Sequence, residues 1–323
     1  TEAAADAAAT VTVSGIHLIP IGAGLVSALL HLSTLTGSPG AILLTFFAQL
    51  PLAATGFALG AMPAAVAAAV ATLTVGIAQP AVGALTQFLL LSALPTILIV
   101  YLALQNRKTE DGTLEWYPPG RILAWLTMIG IGAIFVAALA FSTVEGGLQG
   151  ALRRLFVDIL STISTMDRET AEGVAANAVP MLPGIIAAYW LLINVVNGVL
   201  ALRLVTAAGR NLRPPPSFHE IEIPVWPHIA FGLGFLLTIF GGFPAFLGTS
   251  TMIVAAVPFF FIGLAVLHSI SAAWPGRILM LSGVYLSMVL LQFPAAIVVL
   301  LGIAENWLRL REKARARHTK GNE

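Results

Sequence analysis

Cysteine is absent from the 323-residue chain, which removes disulfides, thiolate nucleophiles and thiolate-ligated zinc together. Charge is the next shortage: 10% of residues are Asp, Glu, Lys or Arg, against roughly 25% in a soluble domain. The few charges almost cancel, to a net +1, so nothing in the balance points to nucleic acid. Familiar catalytic signatures are missing as well. There is no Walker loop, no Gly-x-Ser-x-Gly elbow and no His-Glu-x-x-His, so ATP hydrolysis and the common hydrolase mechanisms find no support. No cofactor and no catalytic residue is indicated.

Apolar side chains fill the space that charge leaves. They make up 58% of the residues, and the mean hydropathy is +0.93. A water-soluble fold of this length cannot hide that much apolar surface in one core. The composition therefore predicts an all-α, polytopic transmembrane helix bundle with the lipid bilayer as its solvent, each span using about 20 residues. Residues 1–12 lack the basic start and cleavage site of a secretory signal and are expected to form a disordered cytoplasmic tail. The transmembrane domain is expected over 13–308, and a basic cytoplasmic tail over 309–323.

Runs bounded by Pro, Gly or charge place spans near 13–35, 41–59, 62–77, 82–105, 121–142, 181–205, 228–247 and 252–273. As one helix, 277–308 would be roughly 48 Å long, too long for a ~30 Å hydrocarbon core. Gln292-Phe293-Pro294 lies midway, and proline disfavours helix at the residue before it, so two short spans are expected there. The count is eight to ten, with ten preferred. Charge placement agrees. If the 142–180 loop lies outside, every Lys and Arg except Arg153, Arg154 and Arg168 falls on the opposite face. That is the positive-inside pattern, with both termini cytoplasmic in a bacterial inner membrane. The tail, with Arg309, Arg311, Lys313, Arg315, Arg317 and Lys320 against Glu312, is suited to anionic headgroups or an acidic partner.

Within the outer loop, Leu148, Leu152, Leu155, Ile159, Ile163 and Met166 recur at helical spacing. An amphipathic helix over about 148–166, lying in the interface, is expected. Arg154 and Asp158 stand as an i,i+4 pair on its polar side.

Polar side chains inside hydrocarbon are costly and often functional. Asn194 and Asn197 share one face of the sixth span, with Gln49 in mid-span and Gln87 toward the outer half of its span. These amides are candidates to bind a solute or an ion within the bundle; the structural alternative is hydrogen bonding between helices. Arg203 is expected to snorkel to the interface, and Glu305 and Asn306 to anchor the last span rather than relay protons. His17, His31, His228 and His268 lack ligand spacing, so no metal site is expected. Gly241-Gly242-Phe243-Pro244 is a candidate break or kink in the seventh span.

Three segments carry a resemblance. Asp111-Gly112-Thr113-Leu114-Glu115-Trp116-Tyr117-Pro118 with Gly120-Arg121, Gly263 to His268 with Pro275-Gly276-Arg277, and Leu301 to Trp307 resemble the YybS-like predicted membrane proteins, a family of unknown function. That family is distantly similar to the S components of energy-coupling-factor vitamin transporters. The resemblance implies small-solute binding and docking on an ATPase coupling module or other membrane subunits. Small residues four apart on the first helix serve that docking in S components; Ala23 with Ser27 and Gly24 with Ala28 match it here.

Solute binding or transport is thus the preferred expectation, a non-catalytic scaffold or accessory subunit the alternative, and an enzyme acting on lipid the weakest reading.

Overall fold

A computed structural model describes residues 18–163, 166–217, 221–291 and 293–314. The tail expected at 1–12, His17, Gln292 and the tail beyond 314 lie outside the described residues. Among the described residues, seven helices are long and apolar enough to cross a membrane. They are α1 (Leu18–Thr36), the broken Pro39–Leu59 made of α2 (Pro39–Thr45) and α3 (Leu50–Leu59), α4 (Ala61–Ala78), α5 (Val82–Ala103), α6 (Pro119–Ala140), α9 (Leu182–Ala207) and α11 (Gly242–Ile270). Three shorter apolar helices are α10 (Trp226–Thr238), α12 (Arg277–Leu290) and α13 (Phe293–Leu308). Two further helices, α7 (Gly147–Ile163) and α8 (Arg168–Ala178), occupy the loop between α6 and α9. The architecture is an all-α, multi-pass helical bundle.

The chain divides into two compact units. One comprises 1–122 and 192–216, the other 123–191 and 217–323; α6 and α9 each continue from one into the other.

In the first unit the core is built mainly of small side chains. Ala28, Ala48, Ala67, Ala68, Ala71 and Ala93 are buried around Leu52, Val75 and Phe88. Alanine lets apolar helices approach closely where no hydrophobic drive separates them from lipid. Gly60, at φ 107, turns α3 into α4, a backbone conformation that L side chains rarely adopt. The hydrophilic loop after α5 is a short antiparallel hairpin, β1 (Asn106–Lys108) with β2 (Leu114–Trp116), in register Arg107 opposite Glu115. Asp111-Gly112, with Gly112 at φ 80, makes its turn.

In the second unit the amphipathic helix expected over about 148–166 is present as α7, and a second helix, α8, follows it. α8 packs against α7, burying Val157, Ala171, Ala175 and Val179. Leu155 and Ile159 stay exposed, so only part of the apolar stripe remains for lipid. Arg154 does not pair with Asp158; its Nη1 donates to the Glu145 carbonyl at 3.1 Å. Arg153 pairs with Glu172 at 3.2 Å across the two helices.

The seventh and eighth spans also differ from expectation. Thr249-Ser250-Thr251 does not separate them but lies inside α11, since hydroxyls are accommodated in apolar helices. The break falls at Gly241 and Gly242, both at positive φ (70° and 55°). α11 is the spine of this unit. Gly234 of α10 lies against Gly248 and Met252, while Gly263 packs on Val298 and Gly302 on Phe259 of the facing helix. As α11 advances from 259 to 263 its partner recedes from 302 to 298, so α11 and α13 are antiparallel. Had α12 crossed the membrane between them, they would run parallel. α12 is therefore not a crossing, and the preferred count of ten is corrected to at most nine. The expectation of a cytoplasmic C-terminus, which rested on that crossing, loses its basis. Tyr285 of α12 meets His268 Nε2 near the end of α11 at 2.9 Å.

Candidate functional site

The polar centre of the first unit is a broken helix. Between α2 and α3, residues 46–49 form turns, and Pro51 follows in the first turn of α3. Pro51 has no N–H for the Phe47 carbonyl; Leu50 N–H supplies it instead, at 3.0 Å. The Phe46 carbonyl, deprived of that i+4 donor, accepts from Asn197 Nδ2 at 2.7 Å. The same nitrogen also donates to Ile193 O at 2.9 Å. Two residues on, Ser27 Oγ donates to Ala48 O at 2.5 Å. The break is thus held by side chains from α1 and α9.

Gln49 carries the same logic outward to α5. Its Nε2 donates to Leu91 O at 3.2 Å. The i+4 donor for that carbonyl would be residue 95, which is proline and has none. The helix widens to a π turn over Leu89–Ala93, and Gln49 donates to a carbonyl within that turn. These partners fix the amide orientations, because three carbonyls demand donors.

What remains is chemically specific. Gln49 is 5% and Asn197 2% exposed, and Gln49 Oε1 and Asn197 Oδ1 are enclosed without a hydrogen-bond donor among the described residues. An unsatisfied buried acceptor costs about 1–3 kcal/mol. An acceptor oxygen complements a donor or a cation and not an anion.

The other expected residues separate. Asn194 is buried, 1% exposed, one turn before Asn197. Gln87 is exposed because the helix turns Phe88 inward, and it does not join the cluster. Of the residues expected to meet a partner, Ser27 and Ala28 are fully buried, Ala23 packs at the edge of the alanine core, and Gly24 lies against Ala67 and Val70 of α4. This face packs inside its own unit. His31 packs edge-on against Phe88, and His228 against Phe259 and Asn306. Glu305, 5% exposed, accepts from Leu310 N–H at 2.7 Å and Arg311 Nε at 2.8 Å, so it turns the chain back at the end of α13. The Ser250 and Thr251 hydroxyls also lack partners among the described residues, at a place where Gly184 packs closely on the Ser250 backbone.

A second polar locus, absent from the sequence expectations, sits at the base of the hairpin. A cavity of about 240 Å³ there is lined by Gln105, Arg107, Glu115, Trp116, Tyr117 and Arg121 among others. Arg107 is neutralised by Glu115 at 2.7 Å. Behind Trp116 lies Arg213, 4% exposed, its guanidinium 5.5 Å from the ring centroid and its Nη1 donating to Ala103 O at 2.7 Å. Burial pushes its pKa below the ordinary arginine value, the effect expected of a cation drawn out of water. The only sequence signal for this pocket was the Asp-Gly turn of a hairpin.

Fold and site together define a class: a multi-pass α-helical membrane protein with a broken, amide-tethered span. Beyond that class, no family model, no curated protein and no solved structure matches the chain.

Proposed function

We propose that this protein binds or transports a small solute within the membrane, at the break in the Pro39–Leu59 span. One observation carries the reading. Gln49 Oε1 and Asn197 Oδ1 are buried acceptors without donors among the described residues, set at an interrupted helix, the kind of place where transporters hold solutes and ions. The complementary solute is a hydrogen-bond donor or a small cation. Without an ATP-binding motif, uphill movement would draw on a separate ATPase coupling module or other membrane subunits, as the S-component resemblance implies. Any docking surface for them lies elsewhere than Ala23, Gly24, Ser27 and Ala28. The membrane proposed is a bacterial inner membrane, with the Arg107, Lys108 and Arg121 face oriented to the cytoplasm in keeping with the positive-inside rule.

A second reading, a non-catalytic scaffold or accessory subunit, draws on a specific observation too: the amide nitrogens of Gln49 and Asn197 are committed to backbone carbonyls, as in helix-to-helix bonding. Native mass spectrometry of the full chain, gently extracted from its own membranes, separates the two. A small additional mass, lost in Asn197→Leu, is the expected result. A ligand-free chain in fixed ratio with other membrane subunits would overturn solute binding in favour of the scaffold.

A further inference from the structure

The hairpin cavity is independent of the amide site and has the opposite electrostatic character. Arg107 and Glu115 cancel. Arg121 has no carboxylate partner among the described residues and is exposed at the first turn of α6. That turn is also the positive end of a 22-residue helix, where a cation is disfavoured and an anion stabilised. Arg213 adds a charge 4% exposed behind the Trp116 wall, where its bonded partners, Ala103 O and Pro214 O, are neutral carbonyls. Arg121 and a helix terminus therefore line one small cavity, with Arg213 behind its Trp116 wall, and Glu115 is the one carboxylate among the lining residues.

The level of the cavity and its size narrow the occupant. It opens between Ala103, where α5 ends, and Pro119, where α6 begins. Both helices are long and apolar enough to span a bilayer, so their ends mark the boundary of the hydrocarbon. Trp116 and Tyr117 stand there, as aromatic residues do at headgroup level. The volume, about 240 Å³, falls below the ~300–1,000 Å³ of drug-sized sites. Basic pockets at this depth are suited to lipid phosphates.

We propose that the cavity formed by Gln105, Arg107, Trp116, Tyr117 and Arg121 is a binding site for a phosphate-bearing anion, supplied by the headgroup of an anionic phospholipid. Arg121 makes the direct charge-assisted contact, and Arg213 contributes its field through Trp116.

The test uses the full chain in detergent, with its melting temperature followed during titration by phosphatidylglycerol, phosphatidylcholine or inorganic phosphate. Phosphatidylglycerol is expected to stabilise the protein at far lower concentration than phosphatidylcholine. Arg121→Gln should move that midpoint up about tenfold, the scale of one charge-assisted hydrogen bond, while leaving the lipid-free melting temperature unchanged. Glu115→Gln, which releases Arg107, should move it down several-fold, a gain that a structural role for these residues does not produce. If inorganic phosphate alone gives the Arg121-dependent shift, the phosphate site stands and its lipid source does not. If neither variant moves the midpoint, or both lipids act alike, the proposal is overturned.

Discussion

Both units pack small residues closely, but they differ in what else holds their helices together. In the second, α11 meets its neighbours through glycine: Gly263 against Val298, Gly302 against Phe259, Gly234 against Gly248. The bond there is van der Waals contact at backbone distance. In the first, proline opens helices and side-chain amides close the gaps, Asn197 to Phe46 O and Gln49 to Leu91 O. Glycine packing has no slack, whereas an amide tether leaves one oxygen over. The leftover oxygens of Gln49 and Asn197 are the chemical handles on which the proposed solute site rests.

The contrast can be broken most severely at the glycines. Gly302→Val would drive a side chain into the Phe259 carbonyl, and such overpacking is expected to cost about 3 kcal/mol or more. The expected outcome is loss of the monodisperse peak on size exclusion in detergent. Gly132→Val is the control, because nothing lies within 4 Å of a methyl group there; it should elute as the unmodified chain does. Equal behaviour of the two variants would remove the claim that close approach holds the second unit.

The amide tethers should give a smaller effect, and one that can be switched off. Asn197→Leu leaves the Phe46 carbonyl without this donor, and Gln49→Leu does the same to Leu91; each is expected to cost about 1–2 kcal/mol. Pro95→Ala returns a backbone N–H near the Leu91 carbonyl. In that background the cost of Gln49→Leu should fall, and a double-mutant cycle by thermal or denaturant unfolding measures the difference. Additive costs would mean that Gln49 is not compensating for Pro95.

Much of the fold was legible because its signals are local. Apolar runs ending in Gly60 or at Pro119 gave helix ends to within a few residues, since proline and glycine act on the backbone where they stand. Three features were not. The 46–49 break depends on Pro51 together with Ser27 and Asn197, which are distant in sequence. Thr249-Ser250-Thr251 looked like a boundary, yet hydroxyl residues continue a helix when packing favours it. The direction of α13 against α11 is set by Gly263 and Gly302, a pairing that no hydropathy profile contains. At the site, Gln49 and Asn197 were readable as costly polar residues in an apolar run. Which of the amides are buried was not, because rotation of the helix decides it: Gln87 faces outward and Asn197 inward.

The comparison is sharpened at its weakest point by a polar group that sits in water. Asp167 caps α8, accepting from Thr170 N–H at 2.9 Å and Thr170 Oγ1 at 2.7 Å. These bonds, the backbone one first, hold its carboxyl below the usual aspartate value. A depressed folded-state pKa means that the cap's contribution is complete above the unfolded value of about 3.9 and is lost as pH falls through the folded value. The amide tethers of the first unit have no such window, because the side chains of Gln49 and Asn197 do not titrate. Hydrogen exchange on the full chain should therefore show the amides of 168–178 losing protection below about pH 4, while those around 46–49 keep theirs. Asp167→Asn, a comparable cap without a titrating proton, should abolish the acid dependence and leave neutral-pH protection nearly unchanged. An acid-induced opening that persists in Asp167→Asn would assign the effect to Glu172 and its pairs with Arg153 and Arg168.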